Sequence, residues 1–197
     1  NKSEMMSSQN HILSMSSALL RIASTYTKIC NDLRWMNSGP ISGLAEISLK
    51  PLQPGSSIMP GKINPVIPEA VLMAMTQVSG HHSSTISGCM SGNFQLNTML
   101  PIIAHNLIDS FNLIINSTFA LVETINTFKV NKSNIKDNLE KNPIIATKLN
   151  EVIGYDQSAA IVKEAYKTNK SIIEIALEKT ELSKSQLLKI LDPKKLI

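Results

Sequence analysis

Residues 4–36 read EMMSSQNHILSMSSALLRIASTYTKICNDLRWM, and their spacing decides the fold class. Ile12, Met15, Leu19, Ile22, Tyr26, Ile29, Leu33 and Met36 advance by alternating steps of three and four, an a/d seam held for more than three heptads. No proline or glycine interrupts the run. At about 1.5 Å per residue it makes a helix on the order of 45 Å long. The remaining positions are mostly Ser, Thr, Ala and Asn. A long helix with so few charges is expected to have more than one face covered. The expectation is a helix bundle, shared between subunits.

Outward from that helix, residues 37–68 hold six of the nine prolines and four of the eight glycines. So long a stretch without periodicity reads as a functional loop. After Pro68 the helical pattern returns with Val71, Leu72, Met75 and Val78, and the small polar run Gly80 to Gly92 predicts a break or kink. From Leu96 a second seam runs through Leu100, Ile103, Leu107, Phe111, Ile114, Thr118, Leu121, Ile125 and Phe128. Pro101 suits a first helical turn. Beyond residue 128 the composition shifts to Lys, Asn and Glu with shorter periodic runs, read as helices over 134–140, 144–152, 157–168, 171–178 and 183–190. Ser183 with Gln186 fits a capping box. The expected fold is all-α. A long-helix bundle spans 1–128, with an active-site loop at 51–65, and a small α-helical C-terminal domain spans 129–197.

Composition narrows the function classes. The net charge of +4 lies wholly in residues 129–197, where thirteen lysines face nine acids; residues 1–128 balance. Acids interleave those lysines, and only Tyr155 and Tyr166 in that half could stack on bases, so a solvated face is expected rather than a nucleic-acid surface. No run approaches the ~18 apolar residues of a membrane span. No basic start precedes an apolar segment, so no signal peptide is expected. Cys30 and Cys89 suggest no disulfide framework, and a cytoplasmic location is expected.

The chemistry concentrates in Gly55-Ser56-Ser57-Ile58-Met59-Pro60-Gly61-Lys62-Ile63-Asn64-Pro65, with Glu69 shortly after. A phosphate-binding P-loop is excluded, because five residues separate Gly55 from Gly61 and Ile63 follows Lys62. Lys62 and Asn64 together could meet a carboxylate, one supplying charge and the other a directed donor. They read equally well as a surface lysine and a turn former. Ser56 and Ser57 have no histidine near in sequence, and by residue chemistry alone they read as turn hydroxyls. Glu69 suits a helix N-terminus, where a carboxylate favours the helix dipole. His81 and His82 project to different sides of a helix and make a poor metal site.

The same run resembles the GSSxMPxKxNP signature of the fumarase/aspartase superfamily. Flanking runs agree: Asn31-Asp32-Leu33-Arg34-Trp35, Ser38-Gly39-Pro40, Gly92-Asn93-Phe94-Gln95-Leu96-Asn97 and Ile153-Gly154-Tyr155-Asp156. The resemblance is closest to the class II fumarases, spans nearly all 197 residues and corresponds to the C-terminal part of a family chain. It implies reversible hydration of fumarate to (S)-malate in the tricarboxylic acid cycle. By the same resemblance Ser56 takes the C3 proton, and Ser57, Lys62 and Asn64 line the substrate site. Glu69 orients a catalytic histidine supplied from upstream of Asn1. The substrate is then a small dicarboxylate, no metal or organic cofactor is needed, and three subunits of a homotetramer share each site.

Several positions depart from the family pattern: Ile41, Ala45, the Gly80-His81-His82 run, and Gln95, where fumarases commonly have Glu and aspartases Gln. Aspartate ammonia-lyase is therefore the nearest alternative. A non-catalytic helical assembly module is the alternative of a different class.

Overall fold

A computed structural model describes residues 1–53 and 55–195; Pro54, which belongs to the expected 51–65 loop, and residues 196–197 lie outside the described residues. The chain divides into two compact units, Asn1–Val130 and Asn131–Ile197. Helices dominate both, as the periodicity requires, and the described residues add one two-stranded antiparallel ribbon.

In the first unit the long run breaks near its start. Helix α1 spans Lys2–Ser7 and α2 spans Asn10–Met36, with Gln9 between them at φ 52°. No proline or glycine marks this break. Gln9 makes it by turning its own amide onto the carbonyls of Met5 (3.0 Å) and Met6 (3.2 Å), which closes the end of α1. Helix α3, Val66–Cys89, packs against both α2 and α4, Leu100–Thr127. The break expected over 80–92 is displaced: α3 runs unbroken through Gly80 to Cys89, and the turn follows it. Small residues there serve close packing. A Cβ on Gly88 would lie 2.8 Å from Cγ1 of Ile103 on α4. Pro101 sits in the first turn of α4, as its sequence position requires.

The core of this unit holds Leu19, Ala23, Cys30 and Leu33 of α2, Val71, Met75 and Val78 of α3, and Ile114 and Leu121 of α4. Both seams are rotated from their expected faces. Met15 and Ile22 stay on the surface, as do Leu100, Phe111 and Ile125, while Ser16, Asn106, Ser110 and Ser117 are buried. Several polar groups are paired between helices. Ser16 Oγ meets His82 Nδ1 at 2.9 Å, Tyr26 Oη meets Thr118 Oγ1 at 2.7 Å, and Asn106 Nδ2 donates to Ser84 Oγ at 2.9 Å. Such pairs fix helix register, because a slip would orphan them in a low dielectric. Strand β1, Ile47–Ser48, pairs antiparallel with β2, Lys129–Val130, and so ties the segment after α2 to the end of α4.

The second unit contains α5 (Lys132–Lys141), a 3₁₀ turn over Pro143–Leu149, α6 (Asn150–Ile153), α7 (Tyr155–Thr168), α8 (Ile172–Lys179) and α9 (Lys184–Ile190). Its own core gathers Leu149, Ile161, Ile172, Ile175 and Leu187, all fully buried. The Ser183–Gln186 capping box forms as expected, and Ser171 with Glu174 forms a second one.

Candidate active site

The loop between β1 and α3 hangs from the C-terminus of α2. Asn37 is the C-cap, its N–H bonded to Leu33 O at 3.0 Å. Further bonds anchor the segment up to Leu49. Ala45 N donates to Ser38 O at 2.6 Å, Glu46 N to Met36 O at 2.8 Å, and Leu49 N to Asn37 Oδ1 at 2.8 Å. Lys50, Pro51, Leu52 and Gln53 are exposed, and the chain closes on itself from Gly55. Gly55 N donates to Lys62 O at 2.9 Å, and Asn64 Nδ2 donates to Gly55 O at 2.8 Å. Glycine is required at the closure, since a Cβ there would stand 2.2 Å from Lys62 O. At the far side of the loop Gly61 takes φ +79°, a conformation that other residues rarely adopt.

Within this closed turn Ser56 is half-buried, and its Oγ accepts two backbone N–H groups, from Ile58 (3.1 Å) and Met59 (3.2 Å). Two converging donors favour negative charge on an oxygen far more than one N–H would. Ser57 and Lys62 are exposed on the loop. Asn64 is half-buried, and its bond to Gly55 leaves one amide N–H and the carbonyl oxygen for another partner. Glu69 lies in the first turn of α3 and is half-buried.

Glu69 faces a cleft of about 350 Å³ whose walls include Arg34, Asn37, Ser38, Ile63 and Pro65. Ser56, Ser57, Lys62 and Asn64 are not among the residues lining it. The structure thus brings Ser56 and Asn64 together through Gly55 and sets Glu69 at the foot of the same loop, in a separate recess. Sequence reasoning treated Arg34 and Ser38 only as flanking matches and passed over Asn37. An Asn directly after a long helix and before Ser-Gly-Pro is a capping signal that could have found it.

The histidines go elsewhere. His82 faces α2 through Ser16. His81 is buried against α4, with Nδ1 3.3 Å from Ser110 Oγ and Nε2 3.6 Å from an Asp109 carboxylate oxygen. Among the described residues no three His, Cys, Asp or Glu side chains assemble as a metal-binding group. Burial pushes the Cys30 thiol up to about 11, despite the opposing pull of Arg34, which disfavours its reactive thiolate form. No helix among the described residues is long and apolar enough to cross a membrane.

Comparison with known proteins finds relatives along nearly the whole chain. Residues 1–80 match the family model described as "Lyase", and residues 145–197 match "Fumarase C C-terminus". The chain is 47% identical over 194 residues to fumarate hydratase class II of Xylella fastidiosa, an alignment covering 98% of this chain and 41% of that protein. It is 48% identical over 193 residues to "Fumarate hydratase class II 2" of Pseudomonas aeruginosa, covering 98% and 42%. The crystal structure of class II fumarase from Schistosoma mansoni superposes with a TM-score of 0.89 at 32% identity, covering 99% of this chain and 41% of that one. The chain therefore spans about two-fifths of the length of the curated relatives it matches. With matches running through the loop, the helices and the C-terminal unit, this chain belongs to the class II fumarases of the fumarase/aspartase superfamily and corresponds to their C-terminal part.

Proposed function

We propose that this chain supplies the serine loop of a fumarate hydratase that interconverts fumarate and (S)-malate. The observation that carries the reading is the pair of N–H groups on Ser56 Oγ. In the malate-to-fumarate direction, the Ser56 oxyanion takes the C3 proton. The electron pair left on C3 delocalises into the adjacent carboxylate as a dianionic aci-carboxylate. Lys62 and the free N–H of Asn64 hold that charge, and Ser57 lines the same site. Collapse of the aci-carboxylate forms the C2–C3 double bond and expels the C2 hydroxyl, which a general acid protonates to water. That acid is a histidine outside this chain, oriented by Glu69. Preorganised donors are worth most where charge develops in a water-excluded site.

The small dicarboxylate substrate and a cytoplasmic setting belong to the same proposal. So does a homotetramer with shared sites. Its support is a second apolar stripe on α4, where Ile108, Phe111, Ile115, Phe119, Val122 and Ile125 recur at helical spacing and remain exposed in the single chain. The reaction is tested by following fumarate absorbance in the full-length protein, supplied with malate and separately with aspartate. Signal from malate alone is expected. Signal from aspartate alone would give Gln95 the meaning it has in aspartases and overturn the proposal.

A further inference from the structure

The loop that carries Ser56 has few fixed points on its N-terminal side. Lys50, Pro51, Leu52 and Gln53 are all exposed. The ion pair of Lys50 with Glu123, at 4.0 Å with both side chains more than half exposed, contributes little. The last attachment before the loop is at Leu49, whose side chain is buried in the helical core and whose N–H donates to Asn37 Oδ1 at 2.8 Å, the bond that ties it to the end of α2. Asn37 is itself fixed as the C-cap of α2 and lines the recess that Glu69 faces. One side chain thus references both the serine loop and the Glu69 recess to a single helix end.

We propose that Asn37 is a positioning residue that holds the loop in its closed, substrate-competent arrangement through the Leu49 amide. This rests on the loop's role in the proposed hydration. Without the acceptor the stem can swing, and the fraction of molecules with a formed loop falls. Apparent affinity falls by that same fraction, while the chemistry of a closed complex is unchanged.

The test uses the full-length protein with malate, together with hydrogen exchange at the Leu49 amide. In the unaltered protein that amide exchanges far more slowly than those of the exposed loop. Asn37→Ala speeds its exchange about five- to ten-fold, the worth of one hydrogen bond, and raises KM by no more than that factor, with kcat kept within about two-fold. Asn37→Asp, which retains an oxygen acceptor, restores both. Loss of folded enzyme would instead lower kcat and leave KM alone, and that result would overturn the proposal. So would an unchanged KM in Asn37→Ala, or a Leu49 amide that exchanges freely in the unaltered protein. The exchange comparison reads the clamp without turnover, so it decides even if the protein proves inactive toward malate.

Discussion

A serine hydroxyl is a weak base, and the turn that holds Ser56 aims two backbone N–H groups at its oxygen. Those donors come from residues two and three positions on, so their convergence depends on the turn. The turn in turn depends on Gly55, whose place against Lys62 O admits no side chain. Gly55→Ala is therefore expected to lower kcat/KM on the order of a hundred-fold, the cost of misplacing a reacting group by about an ångström. Helical circular dichroism should stay as it was. A variant retaining parental kcat/KM would show that the closure does not matter to catalysis. Residue chemistry reads Ser56 as a turn hydroxyl, which its two bonds bear out, whereas the aim of both N–H groups at one oxygen is a property of backbone angles that residue type does not show. The signature pattern directed attention to the residue, and the two donors support the role proposed for it. Asn37 was legible only as a helix cap, since its bond to a backbone amide twelve positions away leaves no local signal.

For the helices, period and type were readable, whereas the buried face was not. The a/d seams of α2 and α4 mark where apolar residues lie, yet Met15, Ile22, Phe111 and Ile125 remain on the surface of the single chain. Periodicity cannot say which stripe a chain covers by itself when a helix carries two. Small residues decide it here, because Ser16, Ala23 and Gly88 let the helices approach closely. End signals were legible where they are local, as at Ser183. The Ser171 box obeys the same rule. Hydrogen bonds from Ser171, first its backbone N–H and then its hydroxyl, hold the Glu174 carboxyl below its ordinary value. A group whose folded value is depressed stabilises above the ordinary carboxylate range, and that contribution is lost as pH falls through the folded value. Ser171→Ala is expected to lower the local opening free energy of the α8 amides by about 1 kcal/mol near neutral pH. The difference should shrink in acid. Hydrogen exchange measured at both pH values checks this, and a loss that grew on acidification would contradict the capping account.

At the scale of the molecule, charge and apolar surface are divided between the units. The excess lysine lies in residues 129–197, while the long helices of the first unit carry few charges and expose the α4 stripe. A solvated second unit and a first unit that meets other copies would be the consequence of that division. Composition alone made this contrast readable. It could not reveal which partner group completes the site, because the general acid proposed for the reaction is supplied from outside the chain. On the proposed reading turnover belongs to the full-length protein, and Ser56 is tested there. Ser56→Ala in that protein, assayed by fumarate formation from malate with mass followed by light scattering, is predicted to lose on the order of a hundred- to ten-thousand-fold in turnover while the assembly mass is unchanged. Parental turnover in the variant would contradict the assignment of the proton to Ser56 and the reading of the loop built on it.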